Sequence, residues 1–516
     1  MKINLAYRSF CLFGLLLTLY GLPLFSQAAT PAINSTNTTS APHAIVNFNW
    51  FDNEQTLALA REGLGFIATS TQQGLDAEDY YLTLLQELQF APEPQDRQQF
   101  NQLLTQSLLS LIHDLKVGKW TALEADPDWF IPQKTFDAET FLTHAIQSQR
   151  LRNHLDLLIP ADAEYQTLVK ALARYQSYAD KGGWPIIPPT PKLKPGAQHP
   201  HIPLIQARIA VEDSVFALSH AVTSDLYDPL MEQAVQRFQT RYGLKVDGVI
   251  GRNTLKTMNK PASAYVKQLK VNLERRRWLP DELGDRHIFI NLANFRLQAF
   301  ENGQEQLAMN IIVGKKKRQT PSFSAEMSHM VFNPYWNVPG KLARLDLLPK
   351  QQQDPHYFYQ HGIRVFSVGL GQKIEQNPYT IDWHMLNRFS PLPYVFRQDP
   401  GKHNSLGRIK FMFKNPWAIY LHDSPSKSLF KKTRRAFSSG CIRVADPISL
   451  AQFSLAGHQQ QGSVVARIQS QRNHGLHLKQ PLNIYAVYFT VSVQDNDVLF
   501  SPDIYQRDQR MIKNLY

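Results

Sequence analysis

The chain has 516 residues, of which 43% are hydrophobic, 11% aromatic and 19% charged, with 32 Pro and 25 Gly. That apolar content supports several packed cores and excludes a disordered or collagen-like chain. Lys and Arg number 55 against 43 Asp and Glu, and the net charge of +12 suits an anionic surface or polymer without specifying one.

At the N-terminus, Lys2 and Arg8 precede an apolar run from Phe10 to Phe25, followed by Ser26-Gln27-Ala28. A basic start, a short apolar stretch and a small-residue site read as an export signal over residues 1–28. Gly21 and Pro23 interrupt the run, which falls short of the roughly 20 residues a spanning helix prefers. An uncleaved N-terminal anchor is the alternative. The chain has 2 cysteines, Cys11 and Cys441, too few for a disulfide framework and without a zinc spacing. Cleavage after Ala28 would leave Cys441 alone in an oxidising compartment, where an unpartnered thiol is a liability unless it does chemistry.

Residues 29–44 are rich in Thr, Ser, Asn and Pro and read as a flexible leader. A helical scaffold domain is expected over 45–182, from Leu57, Leu59, Leu64 and Ile67 and from Leu103, Leu104, Leu108, Leu109 and Leu111. Asp76 is placed to cap a helix beginning at Ala77. Gly182-Gly183-Trp184-Pro185 and Pro188-Pro189-Thr190-Pro191 break the pattern and predict a linker over 183–204. Over 205–262, Ala234 to Gln239, Tyr242-Gly243-Leu244, Asp247-Gly248 and Thr254-Leu255 describe short helices around an Asp-Gly turn.

From residue 285 the period changes to 2. Ile288 to Leu292 and Phe295 to Phe300 lead into Asn302-Gly303, a type I′ hairpin signal, and Ile484 to Val493 returns to strand before Asp495-Asn496-Asp497. The expected class is multidomain α+β, with a mainly antiparallel β domain over 285–495 and a C-terminal extension over 496–516 packed on the β or the helical domain.

Two short strings carry chemistry: Ile419-Tyr420-Leu421-His422-Asp423 and Phe437-Ser438-Ser439-Gly440-Cys441-Ile442-Arg443. A thiol nucleophile needs an imidazole to take its proton. His422 ends an apolar β-like run, Ser439-Gly440 permits a tight turn, and the N–H groups of Gly440 and Cys441 are candidates for an oxyanion hole. Asp446-Pro447 would open a helix stopped at Gly457.

His422 followed by Ser439-Gly440-Cys441-Ile442-Arg443 resembles the catalytic signature of the L,D-transpeptidase (YkuD-type) family. Asn333 to Pro339, Arg397 to Gly401, Leu406 to Phe411 and Ser501 to Tyr505 resemble its large YcbB-like branch, and 205–262 resembles the small three-helix peptidoglycan-binding module. The resemblance implies a YkuD-like β-sandwich with a capping subdomain inserted at 341–415, working in the periplasm on peptidoglycan tetrapeptide stems. It implies Cys441 as nucleophile, His422 as general base and acid held by a backbone carbonyl, Gly440 in the oxyanion hole and Tyr420 as its support. Substrate contacts would fall to Trp336, Arg397, Ser439 and Arg443, the last more as a brace of the loop. Commoner small members carry Gly after the histidine and a second His before Gly-Cys; here those positions are Asp423 and Ser438-Ser439, so no second-histidine role carries over.

The implied reaction is 3→3 cross-linking through a Cys thioester with release of D-Ala. Water or a lipoprotein lysine as acceptor, or a non-catalytic wall-binding scaffold, are the alternatives. No cofactor or metal is expected, since no phosphate loop is evident and the His199/His201 and His474/His477 pairs lack carboxylate or cysteine partners. The runs Lys315 to Arg318 and Lys431 to Arg435 would meet carboxylates or wall polymers rather than nucleic acid, with wall synthases as protein partners and the membrane only through an uncleaved signal.

Overall fold

Helix caps in the first third follow local side-chain chemistry. The computed structural model describes residues 48–90, 93–219, 224–369, 372–456 and 463–515. The expected signal, the leader, Cys11 and the stop at Gly457 lie outside the described residues. Helix Glu54–Ala68 begins at Asn53, which accepts from Thr56 N at 3.0 Å while Thr56 Oγ1 accepts from Asn53 N at 3.1 Å. Its Leu59, Leu64 and Ile67 share one buried core with Leu104, Leu108 and Leu111 of helix Pro94–Lys116. Asp76 caps a single 3₁₀ turn, Ala77–Tyr80.

In the next region, helix Pro229–Arg241 starts at Asp228 and ends at Gly243, whose φ of 60° suits the glycine stop. Gln239 Oε1 holds the Asp-Gly turn by accepting from Asp247 N at 2.9 Å and Gly248 N at 3.0 Å. The stretch expected as a linker is not free. Trp184, Ile187 and Leu193 are buried in the same core as Val235 and Phe238, and Leu193 bridges to Ile250. The prolines set an extended path, but the apolar side chains between them decide where it lies.

The β region is built, in chain order, from β1 (Trp129–Phe130), β2 (Arg286–Asn291), β3 (Arg296–Glu301), β4 (Gln304–Gly314), β5 (Ser322–Phe332), β6 (Trp336–Asn337), β7 (Ile363–Gly369), β8 (Gln372–Gln376), β9 (Tyr394–Gln398), β10 (Ile409–Phe413), β11 (Leu421–His422), β12 (Ala436–Ser438), β13 (Ile442–Val444), β14 (His474–Val487), β15 (Val491–Gln494) and β16 (Asp497–Phe500). The main sheet runs β1-β5-β10-β11-β13-β4-β3-β2-β14, and β14 pairs again with β5, so eight strands close on themselves. Asn302 and Gly303, at φ 50° and 74°, make the β3–β4 hairpin turn. Ile290, Leu297, Ile311, Phe411, Leu421 and Ile442 fill the enclosed core.

A second sheet, β6-β9-β7-β8, forms the insertion with its own core of Val365, Trp383 and Phe396. The insertion therefore begins at Trp336 and its strands end at Gln398; β10, which the sequence reading put inside it, is a central strand of the main sheet. β10 reads as insertion because its partners β5 and β11 are remote or short in sequence. At the C-terminal end, Val491, Val498 and Phe500 of the β15–β16 hairpin complete the core of the 184–273 region, and helix Arg507–Leu515 packs on helix Ala262–Arg277.

Candidate active site

Strand pairing brings the two chemical strings together. β11 runs parallel to β13 with Leu421 opposite Ile442 and His422 opposite Arg443, and β10 pairs on its other side with Lys410 opposite His422. Phe411, Leu421 and Ile442 point into the core. By alternation Lys410, Tyr420, His422, Cys441 and Arg443 share the other face. Lys410, His422 and Arg443 stand in one cross-strand row; Tyr420 and Cys441 occupy the next, joined by Ile442 N donating to Tyr420 O at 3.2 Å.

His422 is 4% exposed, and its Nδ1 lies 2.5 Å from the main-chain oxygen of Asp423. A carbonyl only accepts, so Nδ1 carries the proton and Nε2 is the basic nitrogen. Burial first, then the Arg443 charge and Lys410, push the imidazole down to about 3, against the opposing pull of the Asp423 carbonyl. It is a neutral base throughout the ordinary pH range. The Asp423 carboxylate faces elsewhere. It accepts from Arg408 N at 2.8 Å, Ser424 N at 2.7 Å and Lys427 Nζ at 2.6 Å.

The Cys441 thiol is half-buried and donates to the main-chain oxygen of Ala418 at 3.9 Å, with Tyr420 as its cross-strand neighbour. Burial pushes the thiol up; the Tyr420 hydrogen bonds and the Lys410 and Arg443 charges pull the other way. Ala418 adopts φ 53°, a left-handed conformation rare for a residue with a Cβ, and Asn415 holds that turn by accepting from Ile419 N at 2.9 Å and donating to Ile419 O at 2.7 Å.

The nucleophile loop is fixed from three sides. Ser438 Oγ donates to Cys441 O at 2.5 Å and accepts from Gly440 N at 3.1 Å. Thr320 Oγ1 donates to Gly440 O at 2.8 Å and accepts from Gly314 N at 3.0 Å. Arg318 donates to Ser439 Oγ at 2.8 Å and pairs through both guanidinium nitrogens with Asp346 of the insertion. The Gly440 N–H, expected in the oxyanion hole, is therefore engaged by Ser438, because a hydroxyl two residues back is its nearest acceptor. Among the described residues the Cys441 N–H meets no acceptor.

The remaining expected substrate contacts lie apart. Trp336 pairs with Gln398 in the insertion sheet, and Arg397 lies over the rings of Tyr335 at 4.6 Å and Phe366 at 5.1 Å, with Asp399 beside it. Their contacts stay within the insertion and its flank. Sequence reasoning gave Thr320 and Arg507 no part in the site and took Arg318 only as one of a basic run. Arg507 donates to Thr320 O at 2.9 Å and Ser322 Oγ at 3.0 Å from the far end of the chain. A separate groove of about 1160 Å³, lined by Arg276, Asp281, His287, Phe300 and Asp495 among others, holds none of the thiol-face residues. Among the described residues no group of three or more His, Cys, Asp or Glu is placed to hold a metal, and no helix is long and apolar enough to cross a membrane.

Cys441 and His422 thus share one face of the sheet in neighbouring cross-strand rows, and the loop of Cys441 is tied to the insertion through Arg318. Residues 285–465 match the family described as the YkuD L,D-transpeptidase catalytic domain, 46–172 match a scaffold domain, and 216–258 match a "Putative peptidoglycan binding domain". Within those bounds the chain matches an L,D-transpeptidase catalytic domain, a scaffold domain and a peptidoglycan-binding domain. It is similar to a Haemophilus influenzae protein named "Putative L,D-transpeptidase", 34% identical over 254 residues, or 48% of this chain. The match spans 50% of that relative's length. Among solved structures, an L,D-transpeptidase from Xylanimonas cellulosilytica aligns at 15% identity over 58% of this chain and 99% of that one, with a TM-score of 0.18. The Ldtfm-avibactam carbamoyl enzyme aligns at 13% identity over 40% and 49%, also at 0.18. Scores this low add nothing to the argument.

Proposed function

We propose that this chain is a peptidoglycan L,D-transpeptidase acting outside the cytoplasm, in the periplasm, through a Cys441 thioester. The observation that carries the reading is the placement of Cys441 two residues before Arg443, the cross-strand partner of His422, and so on the same face as His422, whose Nδ1 is fixed on the Asp423 carbonyl so that Nε2 is the basic nitrogen. Cys441 gives its proton to His422 Nε2 and the sulfur attacks the carbonyl carbon of the third residue of a donor tetrapeptide stem. The developing oxyanion meets the Cys441 N–H, with the Tyr420 hydroxyl beside it; Gly440 joins if its N–H leaves Ser438. His422 then protonates the departing amine of D-Ala, leaving a neutral thioester. A side-chain amine of a second stem attacks next, passing its proton to His422 and thence to the sulfur, and forms a 3→3 cross-link. The insertion, with Trp336 and Arg397, is assigned to the stem, as are Ser439 and Arg443 on the loop side. Residues 216–258 are assigned to wall binding, and wall synthases are the expected suppliers of substrate.

Because both partners are held neutral at rest, by burial in each case, proton transfer accompanies substrate attack rather than preceding it. Incubating the full chain with a disaccharide-tetrapeptide tests the reading by mass spectrometry. An acyl adduct on Cys441 and a 3→3 dimer are expected, both absent in Cys441→Ala. Adduct formation followed only by tripeptide release would make water the acceptor, and stem transfer to a lipoprotein lysine would make the enzyme an attachment enzyme. Absence of any adduct would leave a wall-binding scaffold.

A further inference from the structure

Several fully buried arginines among the described residues are paired with carboxylates. Arg275 meets Asp126 and Asp508, Arg277 meets Glu274, and Arg208 meets Glu212. Lys410, like Lys260, Arg435 and Arg443, has no such partner among the described residues. It is half-buried on β10, opposite His422 on β11 and Val331 on β5, and among the described residues no carboxylate pairs with it. Its ammonium instead lies 3.9 Å from the centroid of the Tyr420 ring, and Tyr420 stands across from Cys441 in the neighbouring cross-strand row. A buried charge without a counter-charge is costly, so the nearby group that can become an anion sets its role.

We propose that Lys410 is a positioning residue for the Cys441 thiolate, acting through Tyr420 as its resting partner and supplying the counter-charge when the sulfur ionises. A cation over a phenol ring is attracted to the ring face and sharpens the hydroxyl as a donor. As the thiol loses its proton, the sulfur accepts from Tyr420 and the Lys410 charge finds an anion within its own pocket. The groups that face this pocket are Tyr420 just before β11 and His422 on it, Cys441 just before β13 and Arg443 on it, and His329 on β5 with His477 of β14 behind it at a ring separation of 4.9 Å. Both Lys410 and Arg443 are held down by burial and pulled back by Cys441, as expected of cations whose counter-ion is the thiolate. Arg443 stands level with His422, and its Nε has no hydrogen-bond partner among the described residues, whereas Lys410 is the cation seated on Tyr420.

The proposal rests on the reading of Cys441 as the nucleophile, so its test uses chemistry that needs no stem. The pH profile of Cys441 alkylation by iodoacetamide is measured on the full chain by mass spectrometry, for the wild type, Lys410→Met and Lys410→Arg, with thermal melts to establish folding. Lys410→Met keeps the aliphatic stem, and its profile is expected to move about one unit to higher pH, with about a tenfold slower reaction at pH 7. Lys410→Arg is expected to restore most of the rate. In a Tyr420→Phe background the same Lys410→Met change should have a much smaller effect, because the linking hydroxyl is gone. An unchanged profile in folded Lys410→Met overturns the proposal, and so does a profile unchanged while the Michaelis constant for the stem rises, which would make Lys410 a reader of substrate carboxylate. A Lys410→Arg profile shifted as far as that of Lys410→Met also overturns it. A wild type that alkylates normally yet forms no acyl adduct defeats the functional reading and leaves the Lys410 result standing on its own.

Discussion

The guanidinium of Arg507 donates to the main-chain carbonyl of Thr320 at 2.9 Å. Thr320 in turn donates through its hydroxyl to Gly440 O, the residue before the thiol. A residue nine positions before Tyr516 thus braces the nucleophile loop, and it does so from a fully buried site beside Asp126. Arg507→Met should cost about 3 kcal/mol or more, because Asp126 loses a buried partner. Thr320→Val keeps the shape and removes only the link to Gly440 and Gly314. The expected result is about a tenfold or greater loss of turnover with a melting temperature within a few degrees of wild type, read by denaturation and product formation side by side.

Asp423 touches the imidazole through its main chain alone. Its carboxylate ties Arg408, Ser424 and Lys427 together, and Gly407, at φ 64°, leaves room for it where a Cβ would come within 2.2 Å of Oδ2. Asp423→Asn should lower stability by about 1–3 kcal/mol while leaving most of the acylation rate. His422→Ala should remove acylation by about a thousandfold or more. Equal losses in the two variants would restore the carboxylate to the catalytic machinery.

Arg318 joins the nucleophile loop to the insertion through Ser439 and Asp346. Asp346→Asn cuts the ionic link while leaving the serine contact in place. We expect the Michaelis constant for the stem to rise severalfold with little change in turnover, whereas Arg318→Ala should affect both. Steady-state kinetics on a soluble disaccharide-tetrapeptide separates the cases.

Acid should find His422 before most carboxylates. Its folded pKa of about 3 is below the ordinary 6.5, so the unfolded chain binds the extra proton and stability is lost as pH falls from about 6.5 towards 3. The loss attributable to this group is on the order of a few kcal/mol. His422→Gln should flatten that part of the pH dependence of unfolding by urea. Activity, by contrast, should show no limb from His422 between pH 5 and 7, since the base is already deprotonated there.

Legibility followed sequence distance. The two chemical strings are short and local, and the hairpin at Asn302-Gly303 follows from backbone geometry alone. What brings Lys410 beside His422, or Arg507 to Thr320, is strand pairing and buried ion pairing between residues far apart, which no local pattern encodes. The stretch 183–204 misleads for another reason. Its prolines and glycines dominate composition, while three apolar side chains dominate the energetics by leaving water. The Gly440 N–H misleads for a third, since competition from a neighbouring hydroxyl is a matter of ångströms.

The second pairing of β14 with β5 leaves the eight-strand circuit without a loose end. A sheet with a free margin can peel from that margin inwards, one strand at a time. Here β14 cannot detach without breaking ladders on both sides, and the strands bearing His422 and Cys441 sit midway round the circuit from it. Amide exchange in β4, β5, β10 and β14 should then proceed by opening of the whole domain, at one common and slow rate, while the insertion strands β7 and β8 exchange earlier. The thiol face is held still by a hoop rather than by a clamp.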